Sequence, residues 1–309
     1  MKNFADRLIE AIKEKGNPCI IGLDPRLELI PKDFFPAEGA DLSRDEIVED
    51  TIFAFNEAII DAIKDLVPAV KLQSAFYEQY GLSGIWAFER TIKYAKESGL
   101  IVVADAKRND IGSTAQAYAN AYLGKANILG EDASIFNADA LTVSPYLGRD
   151  SLQPFVDVCK KFGKGIFVLV KNSNPSSADF QDAILKETNE PLYNSVAKMV
   201  NEFANETTGE SGYSSIGAVV GATFPHEAES LRKLMPKAII LVPGYGAQGG
   251  TAKDTLPSFN SDGLGALVHS ARSITFSSDD LSMSKKEYTS IVRENTQKMI
   301  TDVQQALEL

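Results

Sequence analysis

The chain has 309 residues, 44% of them hydrophobic and 24% charged, the balance of a globular protein with a sizeable core. Lys and Arg number 31 against 42 Asp and Glu, a formal net charge of −11. That excess argues against nucleic-acid or anionic-membrane partners, yet one small phosphate ligand needs only a few aimed donors.

No run of 18 apolar residues and no secretory leader is visible. Cys19 and Cys159 lack metal-ligand spacing and read as reduced core thiols of a cytoplasmic protein. His226 and His269 are lone histidines, read as structural or surface, so no His-rich metal site is expected.

An N-terminal amphipathic helix carries Phe4, Leu8, Ile9 and Ile12 on one stripe. Eight short apolar runs follow, at 19–24, 69–73, 100–106, 140–144, 165–171, 216–222, 238–243 and 264–271. Most are rich in Val, Ile and Leu and apolar on both faces, as strands of a doubly covered parallel sheet are. Ser43 and Glu46 have capping-box spacing ahead of a helix that Pro68 stops. Further helices are expected near 83–98, 113–123, 149–161, 189–206 and 225–234, and a last one from Ser284, with Glu287 three residues on. Trp86, beside Ile85 and Phe88, reads as core, and the acidic stretch 41–50 as a solvated face. The α/β alternation suggests a (β/α)8 TIM barrel, a single domain over 1–309 with an N-terminal and a C-terminal helix. An open doubly wound sheet competes, but the first strand ends in Gly22-Leu23-Asp24-Pro25, without G-x-G-x-x-G.

In such a barrel, chemistry sits where strands finish. The first three finish in Asp24, Lys71 and Asp105, and the third runs on as Asp105-Ala106-Lys107-Arg108-Asn109-Asp110. Residues two apart on a strand share a face, so Asp105 and Lys107 are expected to point together, with Arg108 and Asn109 turned away. At ~4 Å one Lys–Asp pair is worth about 4 kcal/mol at an effective dielectric of 20, before desolvation is subtracted. A fixed ammonium can protonate a carbanion, and fixed carboxylates can repel a substrate anion. A buried ion-pair network that only specifies the fold is the competing reading.

Strand seven ends in Pro243-Gly244-Tyr245-Gly246-Ala247-Gln248-Gly249-Gly250, and Arg272 follows strand eight. Loops at these two places are the recurrent phosphate site of the fold. Glycines let N–H groups approach an anion, and arginine offers a planar fork. Ser144, ending strand four, can meet a polar ring edge, although ordinary strand-end serines look the same.

The stretch VVADAKRNDIGSTA (102–115), together with GLDPR (22–26), VKLQSAFYE (70–78), TVSPYLG (142–148) and VPGYGAQGG (242–250), resembles the orotidine 5′-phosphate decarboxylase family, in its larger bacterial subgroup. The resemblance spans nearly the whole chain. It implies a (β/α)8 barrel acting as a homodimer with shared active sites. It implies cofactor-independent decarboxylation of orotidine 5′-monophosphate to uridine 5′-monophosphate and CO2 in de novo pyrimidine biosynthesis, with no metal. Carried over by motif, Lys71, Asp105, Lys107 and Asp110 would form a charged tetrad, Asp110 reaching into the partner subunit's site, and Lys107 would protonate C6. Asp24 and Lys71 would contact the ribose hydroxyls, joined there by Thr114 from the partner subunit. Ile111 would line the apolar pocket near the leaving carboxylate, Ser144 would meet the pyrimidine edge, Pro243 would line the site, and Gln248 and Arg272 would hold the phosphate. One departure is visible: many relatives carry glycine after the arginine, where this chain has Ser273, which tolerates fewer backbone angles. Roles for Gln73, Lys171, Asn172 and Ser273 stay open.

Two rival readings remain. A magnesium-dependent phospho-sugar lyase or decarboxylase of the same superfamily, such as a hexulose-phosphate synthase, wants an acidic metal ligand at the end of strand two, where this chain has Lys71. A non-catalytic nucleotide-binding protein has little use for carboxylates beside an anionic ligand.

Overall fold

In a computed structural model, which describes residues 2–246 and 248–308, eight parallel strands close into a barrel. They are β1 (Cys19–Gly22), β2 (Ala69–Gln73), β3 (Ile101–Arg108), β4 (Ala140–Val143), β5 (Gly165–Lys171), β6 (Ser214–Val220), β7 (Ala238–Val242) and β8 (Ala266–Ser270). Each pairs with its chain neighbours, and β8 returns to β1 through Cys19↔Val268, Ile20↔His269 and Ile21↔Ser270. All eight apolar runs are strands, and the ring is closed rather than open. Between them lie helices at Arg44–Ile63, Gly81–Glu97, Gly112–Tyr122, Arg149–Phe162, Leu192–Glu206 and Pro225–Leu234, and Lys285–Leu307 follows the barrel. Both expected capping boxes are made: Ser43 Oγ accepts from the Glu46 N–H, and Ser284 Oγ from that of Glu287. No helix among the described residues is long and apolar enough to cross a membrane.

The strands are apolar on both faces because two cores need them. Ile21, Val70 and Val102 face outward and pack with helix residues such as Phe55, Phe88 and Phe155. Ile20, Val103, Phe167, Leu241 and Leu267 fill the barrel interior, closed below by α1 (Phe4–Lys15). Phe4 meets Phe167 edge-on at 6.0 Å, so the N-terminal stripe is the plug of the barrel floor. Burying such a side chain contributes about 1.5–3 kcal/mol.

Two expectations need correction or addition. Trp86 is 55% exposed, not core, because its helix turns Gly84, Ala87, Phe88 and Thr91 inward and position 86 falls off that stripe. Two small antiparallel hairpins, Ala126–Ile128 with Glu131–Ala133 and Ile184–Leu185 with Glu190–Pro191, were not expected; each is too short to show alternation. Cys19 and Cys159 are free and buried.

Candidate active site

The charged residues owe their placement to a break in the β3–β4 ladder. Val103 pairs with Ala140 and Ala104 with Leu141, but the next pair is Arg108 with Val143. Four steps along β3 match two along β4, so the strand bulges over Asp105–Lys107. Lys107 takes φ 48°, a left-handed conformation that costs a residue with a side chain on the order of 1–2 kcal/mol. Its N–H donates to Thr142 Oγ1 at 3.0 Å. Asp105 and Lys107 do point together, through this bulge rather than through simple alternation. Arg108 turns away, toward Glu78 and Tyr122.

Asp105 is the hub. Lys71 Nζ donates to Oδ2 at 2.8 Å and Gln73 Nε2 at 3.0 Å. Lys107 Nζ donates to Oδ1 at 2.6 Å and Thr142 Oγ1 at 2.8 Å. Burial alone would raise the Asp105 pKa, but Lys71 and Lys107 outweigh it and hold the carboxyl well below the usual range. Burial would likewise push Lys71 down, but Asp105 and Asp24 keep its ammonium above the ordinary value. Asp24 is raised by burial, which the nearby Lys71 ammonium only partly offsets. Lys71 is 4% exposed, whereas the Lys107 side chain is 45% exposed. Of the two ammoniums bonded to Asp105, Lys107 is therefore the one that faces open space.

That space is a cavity of about 280 Å³, bordered also by Leu169, Asn172, Ser173 and Pro243. It adjoins a lobe of about 240 Å³ lined by Arg26, Gly244, Gln248, Ala271 and Arg272. Asp24, Phe76, Gln248 and His269 border both. Gly244 and Gly246 hold φ 104° and 73°, which glycine adopts without strain, and the Gly246 N–H donates to Gly250 O at 2.8 Å. Ala247, in the expected phosphate loop, lies outside the described residues. Two guanidiniums, an amide and a turn of backbone suit a phosphate in this lobe, while the other lobe offers ammonium and carboxylate to a small charged group.

Of the residues expected from sequence, Asp24, Lys71, Asp105, Lys107, Pro243, Gln248 and Arg272 converge on the two lobes. Asp110, Ile111 and Thr114 line neither. Asp110 Oδ1 accepts the Ile111 N–H at 2.8 Å, and Ile111 is 58% exposed. Ser144 borders a third, more apolar cavity of about 550 Å³ that shares Leu169 and Asn172 with the charged lobe. Thr142, Arg26, Ser173 and His269 were missed. Thr142 sits two residues before Ser144, and Arg26 stands at the end of the GLDPR motif, stacked 4.7 Å from the Phe76 ring centroid. His269, two residues after the inward-facing Leu267, could have been found from the alternation of β8. Burial, reinforced by Lys71 and Lys107, pushes its pKa well down and keeps the imidazole neutral.

Comparison with known proteins points to one family. The model of the "Orotidine 5'-phosphate decarboxylase / HUMPS family" matches residues 19–286. An orotidine 5′-phosphate decarboxylase of Rhodopirellula baltica is 49% identical over 276 residues, 89% of this chain and 89% of the relative. One of Caldicellulosiruptor saccharolyticus is 44% identical over 278 residues, 89% of this chain and 90% of the relative. The solved structure of Leishmania donovani OMP decarboxylase superposes with a TM-score of 0.73 at 28% identity, covering 99% of each chain. With a family match across most of its length and relatives at this identity, the chain belongs to the orotidine 5′-phosphate decarboxylase family.

Proposed function

We propose that the barrel mouth decarboxylates orotidine 5′-monophosphate to uridine 5′-monophosphate, a step of pyrimidine biosynthesis, with Lys107 as the proton donor to C6. The observation that carries this assignment is Lys107 itself: a half-exposed ammonium, held on a left-handed backbone and tied to a buried, ionised carboxylate.

Loss of CO2 from C6 leaves an anion in the ring plane with little resonance help, so the catalyst must supply the upper part of the usual ~8–23 kcal/mol. Lys107 stabilises that charge and then quenches it. Asp105 keeps Lys107 aimed, and stands against the substrate carboxylate. Asp24 and Lys71 take the ribose hydroxyls. Gln248 and Arg272, with Arg26, hold the phosphate, and this remote binding offsets the cost of packing charge against charge. Pro243 and Ser173 border the pyrimidine, with Ser144 flanking it from the adjoining cavity.

Asp110, Ile111 and Thr114 have no work in their own mouth, and we assign them to the site of a second copy of this chain. The enzyme is then a homodimer with composite sites, placed in the cytoplasm, where two free buried thiols stay reduced. The magnesium-lyase alternative fails on Lys71, whose ammonium stands within β2 against Asp105 and repels a divalent cation.

The assay is loss of orotidine-monophosphate absorbance, with EDTA throughout. Lys107→Ala is expected to lose at least about 10⁴-fold in turnover. Near-normal CO2 release by that variant rejects the assignment, and activity that collapses in EDTA favours the lyase. Mixed Lys107→Ala and Asp110→Ala subunits are expected to regain activity through one intact composite site. No recovery in a verified heterodimer counts against sharing.

A further inference from the structure

Lys171 ends β5, and its side chain is 0% exposed although it carries an ammonium. Taking that charge out of water is costly unless it is paired. The pairing comes from the segment that follows the strand: Nζ bonds Asp182, whose carboxylate is 43% exposed. The ammonium also lies 4.4 Å from the Phe224 ring centroid and 5.5 Å from that of Tyr193, within cation–π range. The chain that leaves the strand at Lys171 is thus fastened back onto it eleven residues later.

What the fastening encloses is the wall of the charged lobe. Asn172, Ser173 and Asn174 line that lobe, and none of them borders the phosphate lobe. The turn is held from outside the cavity. The Asn172 N–H donates to Gln181 Oε1 at 2.9 Å, next to Asp182, and Thr223 Oγ1 donates to Ser173 O at 3.3 Å. Gly221 lets the turn come close: a Cβ there would stand 2.8 Å from Ser173 Cα.

Accepting the decarboxylase reading on which this rests, we propose that Lys171 and Asp182 form a clasp that positions the Asn172–Asn174 turn and so sets affinity for the pyrimidine end of the nucleotide without touching it. Lys171 is a positioning residue. A purely structural ion pair would move stability and leave ligand preference alone.

The test compares Lys171→Met, Asp182→Ala, the double variant and Gln181→Ala with wild type. It reads KM and kcat for orotidine 5′-monophosphate, calorimetric Kd for uridine 5′-monophosphate and for ribose 5-phosphate, and Tm. Both single clasp variants are expected to weaken uridine-monophosphate binding and raise KM about tenfold, with the double no worse than either. Ribose 5-phosphate, which lacks the base, is expected to bind within about twofold of wild type. Folded variants with unchanged uridine-monophosphate affinity overturn the proposal, as does equal weakening of both ligands. If Lys171→Met does not fold, Gln181→Ala carries the same contrast at about threefold, and its absence there overturns the proposal equally. A wild-type enzyme that binds uridine 5′-monophosphate but leaves orotidine 5′-monophosphate intact strikes the decarboxylase reading instead, and the clasp's role in that reaction with it.

Discussion

Two buried carboxylates stand at opposite ends of the barrel, each among cations. Below, Asp139 accepts from Arg7 Nη1 at 2.9 Å and from the Val102 N–H at 3.0 Å, with Lys96 at 3.6 Å and Lys164 at 4.0 Å. Above, Asp105 accepts from Lys71, Lys107, Gln73 and Thr142. Burial and ion pairing are common to both, so neither marks a site of chemistry. The difference lies in where the partners' other bonds go. Arg7 also bonds Gly163 O and Lys164 bonds Ala138 O, so the lower cluster stitches backbone together beside α1. The Asp105 carboxylate accepts from side chains alone, with Thr142 Oγ1 also taking the Lys107 N–H, and one of its ammoniums projects from a strained backbone into a cavity.

Matched substitutions break the symmetry. Asp105→Ala takes the salt-bridge partner from buried Lys71, at a cost of about 3–5 kcal/mol in stability, and is expected to lower turnover by at least about 10⁴-fold. Asp139→Ala is expected to lose comparable stability, read by urea unfolding, while the folded fraction keeps kcat. A catalytic collapse in folded Asp139→Ala erases the contrast. Arg272→Ala removes a charge-assisted bond worth about 1.5–3 kcal/mol, so KM is expected to rise about 10–100-fold with a smaller change in kcat. An unmoved KM takes the phosphate out of that lobe.

A pH-dependent effect belongs to the barrel floor. Burial and the neighbouring Lys96 lower the Lys164 pKa to about 7, despite Asp139. The unfolded chain holds that proton up to about pH 10.4 while the folded one has released it, so this group makes stability rise with pH between those limits, by on the order of 1 kcal/mol per unit. Lys164→Met is expected to flatten the rise. An unchanged slope places the charge elsewhere.

The barrel was legible because strands buried on both faces must be apolar throughout, and the two capping boxes mark helix starts by side-chain chemistry alone. Asp24, Lys71, Asp105 and Lys107 were legible because polar residues break the apolar runs near the barrel mouth, although the strands do not finish there as expected: β1 stops at Gly22, β2 runs on to Gln73 and β3 to Arg108. The bulge was not, because a register offset between β3 and β4 belongs to the pair of strands and not to either. Thr142 hid inside an apolar run whose hydroxyl is spent on Asp105. Trp86 misled because neighbouring apolar residues do not say which stripe of a helix faces in.

The central claim is that Lys107 is strained and exposed for chemistry, while Arg7 is paired for stability. Lys107→Gly tests it most directly, with Arg7→Ala as comparator, by reading Tm and turnover together. Glycine relieves the left-handed backbone and so offsets the lost pairing with Asp105, and Lys107→Gly is expected to melt within a few degrees of wild type and to lose turnover at least about 10⁴-fold. Arg7→Ala is expected to melt several degrees lower, by roughly 2–4 °C per kcal/mol lost, with kcat kept. A Lys107→Gly enzyme that still decarboxylates at a near-normal rate contradicts the account.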